Sequence, residues 1–190
     1  MAKKESSFLN MVITLFLVTG LAATALGFVY EYTKEPIAAA KLKAKLDAVS
    51  VVVPEFDNNP SEEMYTLESD LGVLECYPAK MGGELVGTAI STLTKMGFSG
   101  EITLMVGFTT DGTIINSAPL DHLETPGLGT KMDKPKFKDQ FIDKNPGTVN
   151  VKVTKDGGVI DAITASTITS RAYCDAIQRA FDAYQKGGQK

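Results

Sequence analysis

From Phe8 to Tyr30 the chain reads FLNMVITLFLVTGLAATALGFVY, with no charged residue. That run fixes the surroundings of the N-terminal segment before any other feature does. At about 1.5 Å per residue a helix of this length reaches roughly 34 Å, enough to cross a hydrocarbon layer of about 30 Å. A charge within it would cost roughly 2.5–3.5 kcal/mol. The run is longer than the roughly 7–15 apolar residues of a cleaved signal, and no clean A-x-A site follows, so it reads as a retained anchor over residues 8–30. Lys3 and Lys4 precede it. By the positive-inside rule residues 1–7 then lie in the cytoplasm and residues from about 31 onward face outward, which means the periplasm if the source is a diderm bacterium.

The remaining length allows one domain plus an accessory segment. A net charge of −4 argues against a nucleic-acid partner, and a single His with no Trp excludes a His-rich metal site. Cys76 and Cys174 match no metal or redox spacing, and whether they pair is left open.

Tyr32 to Ser50 predicts a helix, with Pro36 near its first turn. Pro54, Asn58, Asn59 and Pro60 then break the pattern. Residues 31–60 therefore read as a membrane-proximal stalk and linker, ahead of a folded domain over 61–190. VLECYPAK, ELVGTAISTLTK, EITLMVGFTT and TIINSAPL are short β-rich runs, with Gly82-Gly83 and Asp111-Gly112 as hairpin turns. Lys134–Phe141 predicts a short helix or turn, Val149–Val153 a strand, and GGVIDAIT a turn with a final strand. Ile168, Ala172, Ala176, Ile177, Ala180, Phe181 and Tyr184 recur at helical spacing, which predicts a last helix from Ser166 or Thr167 to just before Gly187-Gly188. The class is α+β: one transmembrane helix, then a small mixed sheet packed with helices.

Two clusters carry the functional signal. The first is DAITASTITSRAY, residues 161–173, which crowds Thr164, Ser166, Thr167, Thr169 and Ser170 together at the start of that helix. The first N–H groups of a helix lack internal partners, and the macrodipole adds positive character there, so the position suits a phosphate. The hydroxyls and Arg171 would add donors and charge. A plain N-cap needs only one hydroxyl, and that reading stands beside the anion site. The second cluster is DHLETPGLGTKM, residues 121–132, with His122, Glu124, Thr125, Pro126, Gly127 and Gly129 in one loop. Its glycines let a ligand approach the backbone closely, though a solvated turn has the same composition.

Together HLETPGLG (122–129) and DAITASTITSRA (161–172), behind a single span and GFSGEITLMVGF (97–108), resemble the FMN-binding domain found in the G subunit of Rnf-type electron-transport complexes. The C subunit of the sodium-translocating NADH:quinone reductase is a close relative of that family. The resemblance covers nearly the whole chain. It implies an FMN joined through its phosphate to a threonine hydroxyl by a separate flavin transferase, within an Asp-x-x-(Ser/Thr)-Gly-Ala-(Ser/Thr) pattern. Here Asp161 begins that pattern, Thr164 fills its hydroxyl position and Thr167 is the acceptor. Ala165-Ser166 stands where Gly-Ala is usual, a departure that stiffens the turn and adds a competing hydroxyl.

The resemblance further implies that Ser166, Thr169 and Ser170 assist at the phosphate. Glu124, Thr125, Gly127 and Leu128 would sit at the isoalloxazine ring with backbone N–H groups toward its polar edge, and LMVGF would form an apolar wall. No residue need act as acid, base or nucleophile in turnover. Residues 61–190 would be an extracytoplasmic FMN-binding domain on a single-pass protein of the bacterial inner membrane. It would relay electrons within an ion-translocating ferredoxin:NAD oxidoreductase, not catalytic alone, with the other subunits, the transferase and the lipid bilayer as partners. The alternatives are the equivalent quinone-reductase component, which the compact length disfavours, and a non-redox anchored module.

Overall fold

The computed structural model describes residues 7–187. Helix α1 is continuous over Phe8–Val52, with Pro36 inside it. The sequence reading places Pro36 in the first turn of a separate helix, and the structure corrects this. A proline removes one backbone bond, but the Ala- and Lys-rich stretch that follows resumes the helix at once. The helix is long and apolar enough to cross a membrane. Its threonines hide their polarity locally: Thr14, Thr19 and Thr24 donate to the carbonyls of Asn10, Leu15 and Gly20 at 2.7, 2.8 and 2.8 Å. In an apolar surrounding those bonds leave no hydroxyl unsatisfied.

The chain divides into two compact units, residues 1–43 and 44–190. The second unit holds a five-stranded antiparallel meander in the order β1 (Tyr65–Ser69), β2 (Gly72–Met81), β3 (Glu84–Thr94), β4 (Ile102–Phe108), β5 (Ile114–His122). The α+β class is as expected, while the sheet proper has no parallel pair. Gly82 and Gly83 join β2 to β3 with φ of 61° and 86°, the left-handed pair that a two-residue hairpin requires.

The central strands are buried on both faces. Cys76, Ile90, Leu104, Val106 and Phe108 point into the main core, which α3 (Thr167–Gly187) covers with Tyr173, Ala176, Ile177, Ala180, Phe181 and Tyr184. Tyr77, Ala79, Ala89 and Met105 point the other way, onto Ala48, Val49 and Val52 at the end of α1. Gly107 makes that second contact possible. A Cβ there would lie 1.8 Å from the Val52 carbonyl oxygen.

Between β5 and α3 the chain is largely irregular. It has short 3₁₀ turns at Gly129–Asp133, Asp139–Phe141 and Thr154–Asp156, and one short helix, α2 (Pro135–Lys138). The strands expected at 149–153 and within 157–164 do not form. Only an isolated parallel bridge joins Val153 to Ile160. The Thr154–Asp156 turn and left-handed Gly157 fold the two runs so closely that a Cβ on Gly158 would lie 1.9 Å from the Lys152 carbonyl oxygen. The geometry serves a tight turn, and Val153 and Ile160 are buried as single core residues.

Cys76 on β2 and Cys174 on α3 are free thiols, and burial pushes both up to about 12. Native protein at pH 8 is expected to resist iodoacetamide at both positions, whereas urea-unfolded protein is labelled twice; labelling of the native fold would disprove this burial. An unfolded cysteine ionises near pH 8.5. The native thiols stay protonated beyond that, so their contribution to stability is whole below pH 8.5 and falls as pH rises toward 12.

Candidate functional site

The two clusters meet. The loop after β5, the β3–β4 loop and the first turn of α3 enclose an open cleft of about 350 Å³, lined by Phe98, Glu124, Thr125, Leu128, Gly129 and residues 165–169. Two bonds tie its walls together. The Thr169 hydroxyl donates to Glu124 Oε2 at 2.6 Å, and the Ser99 N–H donates to Glu124 Oε1 at 3.0 Å. Gly129 has to be glycine for this to fit, because a Cβ would fall 2.5 Å from Glu124 Oε2.

The hydroxyls divide by role. Thr169 and Ser170 are buried and committed inside the protein. Ser170 donates to the Ser166 carbonyl and accepts the Ile163 N–H, both at 2.9 Å, holding the chain in shape as it enters the helix. Neither is placed as a spare phosphate donor, which corrects the expectation. Thr164 is exposed and outside the cleft lining. Ser166 and Thr167 both line the cleft, and among the described residues neither hydroxyl has a hydrogen-bond partner. Thr167 is the first residue of α3 and half-buried.

Three further expectations change. Arg171 turns away from the cleft into a two-bond contact with Asp156, Nε–Oδ2 and Nη2–Oδ1 both 2.7 Å. That pairing holds the Asp156 carboxyl below its usual range. The N–H groups expected at a ring edge are in use: Gly127 donates to Thr130 Oγ1 at 2.9 Å and Leu128 to the Thr125 carbonyl at 3.1 Å. His122 spends its Nδ1 on the Glu124 N–H at 3.3 Å. The LMVGF strand lies in the sheet core and does not face the cleft. The apolar lining is Phe98, Leu128 and Ile168, which are 67%, 40% and 48% exposed. The sequence signal for Phe98 was a large aromatic set between Gly97 and Gly100 in a loop, where nothing else needs it for the core.

Residues 97–182 match the model of a family described as FMN-binding domain. The G subunit of an ion-translocating oxidoreductase complex from Cereibacter sphaeroides is 33% identical over 96% of this chain and 86% of its own length. Its Vibrio cholerae counterpart is 35% identical over 86% and 82%. The G subunit of the sodium-translocating ferredoxin:NAD oxidoreductase complex of Acetobacterium woodii is 32% identical over 90% and 88%. This chain belongs to the G-subunit family of ion-translocating oxidoreductases. A crystal structure of Shewanella oneidensis NqrC also aligns, with a TM-score of 0.49 at 22% identity over 67% of each chain.

The cleft of this G-subunit family member fits a flavin mononucleotide. Its exposed apolar side chains suit the flat face of an aromatic ring, and the start of a 21-residue helix beside unpartnered hydroxyls suits a phosphate. Ala165 turns the corner between them with φ of 64°, a left-handed conformation unfavourable for any residue with a Cβ. The glycine that the resemblance puts at this position is thus explained by backbone geometry. Ala165→Gly is expected to raise stability by about 0.5–1 kcal/mol, relief of the left-handed strain outweighing the added freedom of the unfolded chain. An unchanged or lower urea midpoint would contradict the strained turn.

Proposed function

We propose that this chain is a membrane-anchored flavoprotein that carries FMN covalently on Thr167 and relays electrons within an ion-translocating ferredoxin:NAD oxidoreductase complex. One observation carries the reading. The fold brings the Glu124 loop and the hydroxyl-rich start of α3, far apart in sequence, to a single cleft in which the Thr167 hydroxyl has no partner among the described residues. The family match and the names of the relatives support the choice of cofactor and complex.

In this reading the Thr167 oxygen bonds to the phosphorus of an activated flavin nucleotide. It gives up its proton, and the nucleotide's leaving group departs; a flavin transferase performs the step. The N–H groups at the start of α3 and its positive end hold the remaining phosphodiester charge. Phe98, Leu128 and Ile168 shelter the ring from water on one side. Bound FMN supplies the reversible electron chemistry, and the protein's part is to hold it and set its surroundings. The apolar helix anchors the chain in the cytoplasmic membrane, with the N-terminus inside and residues from about 31 onward outside. A carrier facing outward would lose a dissociable cofactor to dilution, and a covalent bond prevents that loss whatever the affinity.

The test is direct. Protein from a host that expresses the transferase is run on a denaturing gel and viewed under ultraviolet light, and the tryptic peptide 156–171 is weighed. A fluorescent band with FMN mass on Thr167 is expected. A dark band with an unmodified peptide would remove the relay reading.

A further inference from the structure

Glu124 lines the cleft yet is only 5% exposed, and both its oxygens are occupied by the protein. Its two bonds run to different walls: Oε1 to the Ser99 N–H of the β3–β4 loop, Oε2 to the Thr169 hydroxyl of the first turn of α3. Two glycines leave room for its two oxygens. A Cβ on Gly97 would come within 2.9 Å of Oε1, and one on Gly129 within 2.5 Å of Oε2. Among the described residues no lysine or arginine forms an ion pair with it.

The chemistry favours a carboxylate over its amide here. A carboxylate accepts at both oxygens, which matches one N–H donor and one hydroxyl donor. Glutamine could accept from Ser99, but it would present a donor to Thr169, whose own hydroxyl hydrogen would then need another acceptor. The site therefore favours a group that brings negative charge, and a buried charge acts over a longer range than an exposed one.

We propose that Glu124 is a positioning residue with an electrostatic consequence. Its carboxylate locks the β3–β4 loop to the start of α3 across the cleft and sets a fixed negative charge beside the cofactor those walls hold. The second part rests on the flavin reading of the cleft. A fixed anion close to the ring opposes the arrival of electrons and so lowers the flavin's potential. It also takes a share of the positive field at the start of α3, which a phosphodiester on Thr167 would otherwise have to itself.

The experiment separates the strut from the charge, and both from the flavin reading. Glu124→Ala and Glu124→Gln are made in the full-length, detergent-solubilised protein, each with and without Thr167→Ala to give a flavin-free background. In that background amide hydrogen exchange is followed at Ser99 and across 165–170. Glu124→Ala is expected to speed exchange at Ser99 about tenfold, the loss of one part-buried hydrogen bond. Glu124→Gln, which retains an acceptor for that N–H, is expected to stay near the parent. In flavin-loaded protein Glu124→Gln is expected to raise the midpoint potential. Unchanged exchange at Ser99 in Glu124→Ala would overturn the strut, and an unchanged potential in Glu124→Gln with the loops intact would overturn the charge. Should the parent carry no flavin, the functional reading fails while the exchange result still decides the strut.

Discussion

Gly107→Ala protein is expected to lose about 3 kcal/mol or more of stability. The added Cβ would lie 1.8 Å from the Val52 carbonyl oxygen and 2.5 Å from its carbon. Both are backbone atoms, so no side chain can rotate aside. Moving the strand is blocked as well, since Gly107 is paired with Ala89 on β3 and Asn116 on β5. The remaining response is to lift the end of α1 from the sheet. That would expose Val49 and Val52, which are 1% and 0% exposed, and break the 3.2 Å bond from the Asn116 side chain to the Val51 carbonyl. The urea midpoint of the full-length protein checks this. Gly27→Ala, where a Cβ meets nothing within 4 Å, serves as the silent control. If the two variants unfold alike, α1 does not end on this sheet as described.

Thr167→Ala is expected to abolish covalent flavin while barely changing the fold. Its hydroxyl makes no internal hydrogen bond among the described residues and the side chain is half-buried, so stability should move by no more than about 0.5 kcal/mol. Ser170→Ala should behave in the opposite way. It strands the buried Ile163 N–H and costs about 2 kcal/mol, yet leaves the attachment oxygen in place. Gel fluorescence read beside a urea titration separates the two. A Thr167→Ala band that still fluoresces, with label on Ser166, would move the attachment one residue upstream to the other unpartnered hydroxyl of the cleft.

Much of this arrangement was legible in the sequence because it depends on periodicity and turn chemistry. The stripe from Ile168 to Tyr184 gave α3 to within a residue of its start, and Gly82-Gly83 gave its hairpin. Strand β1 is not distinct as a separate run in the sequence: Tyr65–Ser69 is five residues long and half-exposed, so its alternation is brief and mixed with polar groups. The runs at 149–153 and 157–164 misled for the opposite reason. They are rich in β-branched residues, but the tight turn at Thr154–Gly157 leaves room for only one parallel bridge, Val153 to Ile160.

At the site, the joining of the two clusters was what the family resemblance implied, and the division of labour among the hydroxyls was not legible in the sequence. Thr167, Thr169 and Ser170 are chemically near-identical in the sequence. Only their angular position on the first turn of α3 sends one to the cleft, one to Glu124 and one to the Ser166 carbonyl. Arg171 likewise reads as a phosphate ligand until Asp156, brought near by an irregular loop, claims it.

The inner face of α3 is packed along the sheet, from Tyr173 near its start to Tyr184, whose hydroxyl reaches the Thr109 carbonyl at 2.9 Å. On the proposed attachment, a nucleotide esterified to the opening residue of such a helix would have no long lever to ride on, unlike a group carried on a flexible lysine arm. Its excursion relative to the sheet would be limited to the few bonds of its own ribityl chain, so a redox partner would have to come within reach of that short tether.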